Sequence, residues 1–85
     1  MTNEQILEKL LETFPKCKAF IMDGAVRVAS GIDAEMPDGL PPFDYWSENW
    51  DIYIFAVHKT LHDWVEEQGF HFETVNPECA DLYAS

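Results

Sequence analysis

The chain has 85 residues, a formal charge of −11 at pH 7 and 47% hydrophobic residues. This length allows one domain, residues 1–85, and so high an apolar content argues against a disordered acidic chain. Sixteen acids against five bases cannot neutralise phosphates, which excludes direct nucleic-acid binding. No apolar run reaches the length of a membrane span and the N-terminus lacks a secretory signal, so we expect a cytoplasmic protein that does not bind membranes.

The first predicted element is a helix that begins after Thr2. Thr2 and Gln5 have the spacing of a capping box, in which each side chain binds the backbone N–H of the other residue. Apolar residues then recur at helical spacing. Pro15 ends the helix, because it disfavours helical geometry in the preceding residue. The apolar stripe of this helix is Ile6, Leu7, Leu10, Leu11 and Phe14.

Residues 17–30 are predicted to form a β-hairpin around Asp23 and Gly24. That pair favours a two-residue turn with positive φ at both positions, and the turn sets the register of the two strands. The side of the hairpin that we expect to be buried consists of Cys17, Ala19, Ile21, Val26, Val28 and Ser30. The other side mixes Phe20 and Met22 with charged residues, so we expect it to be half-exposed or to face a partner.

The middle of the chain is predicted to be a loop followed by a long helix. Residues 31–42 are rich in glycine, proline and acids, which indicates a long ordered loop; extension of the second strand past a bulge at Gly31 is the alternative. The second helix is capped by Ser47 or Asp44 and is ended by Gly69. Its predicted core stripe is Trp50, Ile54, Val57, Leu61, Trp64 and Val65.

The last part of the chain is predicted to be β-structure. Residues 70–75 alternate as in a strand, residues 76–78 form a turn, and residues 79–84 are either a short fourth strand or a frayed tail. The order is therefore α-β-β-α-β, with a further β if the tail pairs. It predicts an α+β fold in which two helices pack on one face of a small antiparallel sheet of three or four strands.

Signals of chemistry are sparse. His58 and His62 have the helical spacing of a zinc-binding pair, with Asp63, Glu66 or Cys79 as a third ligand, but histidines at the edge of the core are the simpler interpretation. The two cysteines are too few for a disulfide framework and are expected to be free thiols. Nothing resembles a phosphate loop or a catalytic nucleophile. We therefore expect neither an enzyme nor a cofactor.

The charge is distributed unevenly along the chain. From residue 28 onward there are twelve acids and a single base, Lys59, whereas the first 27 residues are balanced. Clustered like charge costs stability and is explained either by solubility or by a basic partner. Acids four residues apart in a helix, or two residues apart in a strand, stand about 6 Å from each other. Rows of such acids can occupy a basic groove built for a nucleic-acid backbone.

In size, charge and architecture the chain resembles the small acidic inhibitors that phages and mobile elements use against host defence, the anti-CRISPR and anti-restriction DNA mimics. The resemblance implies an inhibitor, without turnover, of a basic nucleic-acid-binding protein or complex, acting in the host cytoplasm if it is phage-encoded. A homodimer formed through the Phe20/Met22 face is the alternative. The predicted partner-binding residues are Asp33, Glu35, Asp38, Asp44, Tyr45, Trp46, Glu48, Asp63, Glu66 and Glu67.

Overall fold

The computed structural model describes residues 1–30, 33–44 and 46–85 and confirms an α+β fold. Among these residues it has two helices, a four-stranded antiparallel sheet and a separate two-stranded sheet. Neither helix is long and apolar enough to cross a membrane. The elements in chain order are α1 (Asn3–Thr13), β1 (Lys18–Met22), β2 (Ala25–Ala29), β3 (Tyr53–Ile54), β4 (Val57–His58), α2 (Lys59–Glu67), β5 (Phe70–Asn76) and β6 (Cys79–Ala84).

The helix α1 begins and ends where the sequence predicts. The Thr2 hydroxyl accepts a hydrogen bond from the Gln5 N–H at 3.2 Å, and the Gln5 side-chain oxygen accepts one from the Thr2 N–H at 2.8 Å. These bonds satisfy two of the donors that a helix leaves open at its N-terminus. Ile6 and Leu10 are buried on the inner side of the helix, and Phe14 is buried directly after its end.

The hairpin of β1 and β2 has the predicted register, with Ile21 opposite Val26 and a turn in which Asp23 and Gly24 have φ of 53° and 79°. One expectation for its inner side is wrong. Ile21 remains 41% exposed, whereas Val26 beside it is fully buried. The difference follows from position, because β1 is an edge strand and β2 lies between β1 and β6.

The C-terminal residues form a full strand, β6, inside the sheet. The strand order is β1-β2-β6-β5, so β6 pairs with β2 on one side and β5 on the other. Ala80 and Leu82 on β6 are buried opposite Val28 and Val26 of β2. The last strand therefore joins the N-terminal hairpin to the C-terminal half of the molecule.

Both helices pack on one face of this sheet, as predicted. α1 contacts β1 and β2, and α2 contacts β5, while the Phe14 and Trp64 rings meet edge to face with their centroids 5.6 Å apart. Both cysteines are free thiols. Burial raises the pKa of the Cys17 thiol to about 11, so this thiol stays protonated at neutral pH. The shared core is Ile6, Leu10, Phe14, Cys17, Val26, Val28, Met36, Phe43, Val57, Leu61, Val65, Phe70, Ala80 and Leu82.

The opposite face of the sheet carries a partly buried ion pair between Arg27 and Asp81. Two guanidinium nitrogens of Arg27 donate to the two carboxylate oxygens of Asp81 at 2.8 and 3.1 Å. The pair lies between neighbouring strands, since residues 27 and 81 are directly opposite in the β2–β6 register. One of the twelve acids after residue 28 therefore stabilises the sheet and is removed from the exposed surface.

The prediction of a long second helix is wrong in its first half. α2 spans only Lys59–Glu67, and the residues before it form the β3–β4 hairpin. Trp50, predicted to lie in the core, is 73% exposed. The second half of the prediction holds: Leu61 and Val65 are fully buried, and Gly69 follows the helix with φ of 82°.

Local hydrogen bonds explain why the helix does not start earlier. The Asp44, Ser47 and Asn49 side chains accept hydrogen bonds from the backbone N–H two residues ahead, at Trp46, Asn49 and Asp51 respectively. Such bonds satisfy the backbone outside a helix and so compete with helix formation. The aromatic and β-branched residues that follow favour strand pairing.

The turn between β3 and β4 is made by Phe55 and Ala56, with φ of 50° and 69°. Residues other than glycine pay about 1–2 kcal/mol in this left-handed region. We expect Ala56→Gly to raise the free energy of unfolding by about 0.5–1 kcal/mol, measured by urea denaturation, after the entropy gained by the unfolded chain is subtracted. A helix through residue 56 demands the opposite sign, because glycine in a helix interior costs about 1 kcal/mol. A destabilised variant would therefore contradict the hairpin.

Candidate functional site

His58 joins the loop 33–44 to the start of α2. Its Nδ1 accepts a hydrogen bond from the Thr60 N–H at 3.2 Å, which makes His58 the N-cap of α2. Since Nδ1 accepts, the proton of the neutral ring lies on Nε2, which is 2.7 Å from Asp38 Oδ2 and donates to it. His58 is 5% exposed, and its ring binds the Thr60 N–H and the Asp38 carboxylate at the same time.

Asp38 is held in place by two donors. Besides the His58 ring, the Leu40 N–H donates to its Oδ1 at 3.0 Å. The Leu40 N–H, and after it the His58 hydrogen bond, lower the pKa of Asp38. The stability that Asp38 contributes is therefore present at neutral pH and is lost as the pH falls through this lowered pKa. Asp38 is thus a fixed negative charge at the N-terminal end of α2.

Three further acids lie on α2 itself. His62 lies one turn after His58, with Nδ1 3.3 Å from Asp63 and Nε2 3.6 Å from Glu66. Asp63, Glu66 and Glu67 are all exposed. We call Asp38, Asp63, Glu66 and Glu67 the α2 acidic ridge; the structure brings the first of them to the helix from a distant part of the sequence.

A second group of acids lies in the segment 44–51, beside buried Tyr53. Tyr53 donates a hydrogen bond to the Pro41 carbonyl at 2.8 Å. Burial raises the pKa of Tyr53, and the negative charges of Asp44 and Asp38 raise it further. The phenol of Tyr53 therefore stays protonated at neutral pH and acts as a hydrogen-bond donor.

The remaining predicted residues are placed less uniformly. Glu35 is half-buried, with its carboxylate 4.0 Å from Lys16 Nζ, so part of its charge is offset. Asp33, Glu48 and Trp46 are exposed. Tyr45, predicted as an aromatic anchor, lies outside the described residues. The structure thus associates Asp38 with the α2 acids and sets Glu35 against a base of the N-terminal region.

The uneven charge of the sequence becomes an uneven charge in space. β1 and β5 are the opposite edges of the main sheet, and the helices pack near these edges, α1 by β1 and α2 by β5. The N-terminal region, whose acids and bases are balanced, therefore lies towards the β1 edge, whereas the unbalanced acids of α2 lie towards the β5 edge. Lys59, in the first turn of α2, is the base nearest in sequence to the ridge.

The sequence interpretation missed two exposed aromatic side chains. Trp50 is 73% and Phe55 is 79% exposed, and with Trp46 at 81% they line one short stretch of the chain. The prediction of a long helix placed Trp50 in the core. The spacing of Asp44, Ser47 and Asn49, each able to bind backbone two residues on, was the signal for a non-helical segment.

The zinc alternative gains no support from the geometry of the histidines. Both ring nitrogens of His58 are already within hydrogen-bonding distance of protein partners. Within the described parts of the chain, no group of three or more histidine, cysteine or acidic side chains is arranged to hold a metal ion.

Comparison with protein families, curated proteins and solved structures finds no significant match to this chain. The function is therefore inferred from the charge and geometry described above.

The double role of His58 is testable by substitution. We expect His58→Ala to lower the free energy of unfolding by about 1–2 kcal/mol, because α2 loses its cap and Asp38 loses a donor. His58→Asn should recover part of this loss, since asparagine is a good N-cap. Urea denaturation measures both, with His71→Ala as the control, because the His71 side chain is 42% exposed and its removal is expected to stay within about 0.5 kcal/mol of the parent. Equal effects at the two histidines would contradict the capping role.

Proposed function

We propose that this chain is a non-enzymatic acidic protein that binds a basic, nucleic-acid-binding protein surface as a DNA-mimic inhibitor of the anti-CRISPR or anti-restriction type. The observation that carries the proposal is the α2 acidic ridge. Its four carboxylates are on the surface, and Asp38 is fixed there by hydrogen bonds to His58 and Leu40. Carboxylates at regular spacing can attract the bases of a cationic groove and accept hydrogen bonds from them, as the phosphates of a nucleic-acid backbone do.

Two ridge acids stand where they destabilise the helix. Glu66 and Glu67 lie in the last turn of α2, which contains no base. The partial negative charge at a helix C-terminus repels carboxylates there, and Asp63 and Glu67 repel each other at the i,i+4 spacing. Solubility alone is served equally well by acids at the N-terminal end of a helix. Acids kept at an unfavourable position favour a binding role.

Exposed aromatic side chains beside the acids support the same proposal. Trp46 and Trp50 leave most of their surface in solvent, in a segment that also carries Asp44, Glu48 and Asp51. Tryptophan is enriched among the residues that dominate binding energy at protein interfaces. The proposed partner is therefore a basic protein surface that also accepts an aromatic anchor, reached in the cytoplasm of the host cell if the protein is phage-encoded.

A competition experiment tests this proposal. The immobilised protein should retain nucleic-acid-binding proteins from a cell lysate at low salt, and duplex DNA should displace them, because both compete for one basic surface. The ridge variant Asp63→Asn/Glu66→Gln/Glu67→Gln should retain at least about tenfold less of these proteins, by analogy with charge pairs at other interfaces. The free energy of unfolding of the same variant, measured by urea denaturation, should be higher than that of the parent by about 0.5–1 kcal/mol.

The matched control is the α1 variant Glu4→Gln/Glu8→Gln/Glu12→Gln, which removes the same charge from an exposed row on the other helix. It should retain much more of the bound protein than the ridge variant does. Equal losses in the two variants would show that only net charge matters. Failure to retain any DNA-displaceable protein would refute the proposed function.

The open face of the main sheet favours a second candidate, a homodimeric interaction module. Phe20 and Met22 on β1 are 41% and 42% exposed on the face opposite the helices. Such a dimer would be held by apolar contact, so its association should resist salt. Light scattering at low and high salt decides between the candidates. A salt-resistant dimer that the substitution Phe20→Ser converts to a monomer would favour the homodimeric module. A monomer at both salt concentrations would exclude it.

A further inference from the structure

An aromatic groove lies between the segment 47–56 and the strand β5. It encloses about 370 Å³, at the lower end of the range for small-ligand sites. Its floor includes Tyr53, whose hydroxyl is already bound to the Pro41 carbonyl, whereas Trp50 and Phe55 are 73% and 79% exposed at its rim. We define the aromatic groove by its described lining residues, Ser47, Trp50, Tyr53, Phe55, Ala56 and Thr74.

Negative charge adjoins this groove. The Asp44 N–H donates to the Ala56 carbonyl at 2.9 Å, so Asp44 lies next to a lining residue. Glu48 and Asp51 are exposed in the same segment, and residues 28–58 contain no lysine or arginine. A cation entering the groove therefore meets attraction from neighbouring acids and no basic competitor within that segment.

We propose that the aromatic groove binds an arginine side chain of the basic partner. The proposal rests on the proposed function and names the contact that its partner supplies. The guanidinium group is flat and weakly hydrated, so it stacks on aromatic faces while its N–H donors bind carboxylates at the edge. Trp50 and Phe55 supply such faces, and Asp44 supplies an acceptor beside them. Lysine presents a compact, strongly hydrated charge and gains less from the rings.

Two other occupants fit the chemistry less well. A nucleobase stacks on the same rings, but its phosphates would approach a chain of charge −11. An apolar side chain would fill the groove without using Asp44. Arginine is the occupant that uses both the rings and the carboxylate.

The test uses fluorescent nona-arginine and nona-lysine peptides of equal length, titrated against the full chain at low salt. The parent should bind nona-arginine more tightly than nona-lysine. Trp50→Ala and Phe55→Asn should each weaken nona-arginine binding roughly three- to tenfold and nona-lysine binding less. Asparagine is chosen at residue 55 because it tolerates the left-handed backbone there. Circular dichroism confirms folding, which is expected because both side chains are on the surface.

Tyr83→Ala is the matched control, since Tyr83 is an exposed ring at 42% on the opposite sheet face and should leave both affinities unchanged. A parent that binds neither peptide would overturn the proposed function and the groove assignment together. A parent that binds both peptides, with Trp50→Ala and Phe55→Asn binding nona-arginine as tightly, would overturn the groove assignment alone. A nona-norleucine or oligonucleotide ligand that loses more affinity than nona-arginine in these variants would likewise reject arginine as the occupant.

Discussion

β6 holds the two halves of the molecule together, because it hydrogen-bonds to β2 on one side and to β5 on the other. α1 packs by the first half and α2 by the second, so neither helix has a complete apolar surface to cover without this strand. Ala80 and Leu82 lie at the centre of the shared core for that reason. In a domain of 85 residues, where the buried core is small, such a central strand decides whether the fold forms.

The described residues between β2 and α2 lie outside the main sheet, and His58 connects them to α2. Its ring caps α2 and binds Asp38, while its backbone N–H donates to the Pro42 carbonyl at 2.8 Å. Phe43 adds an edge-to-face contact with Phe72 at 5.9 Å. These contacts bury one side of the segment against β5 and leave the aromatic residues of its other side at the surface.

Asp81 and the α2 acidic ridge show that the acids have different physical roles. Asp81 is nearly buried and is satisfied by Arg27, so it belongs to the fold. The α2 acidic ridge is exposed, and its members in the last helical turn oppose the helix dipole. Stability is therefore gained from one acid and given up at others. That contrast, together with the aromatic groove, is the basis on which we propose a binding role for this surface.

Elements that depend on neighbours in the chain can be predicted from the sequence: the Thr2–Gln5 capping box, the Asp23–Gly24 turn with its register, and the left-handed residue Gly69. These elements depend on hydrogen bonds between residues only a few positions apart, so the partners can be recognised in the sequence. The excess of acids is also visible in the sequence. Contacts between distant parts of the chain are responsible for the rest: residues 53–58 form a hairpin, Asp38 joins α2, and Trp50 and Phe55 face solvent. Helical spacing and local side-chain hydrogen bonds favour different structures there, and the packing of Phe43 and Val57 against the distant core selects between them.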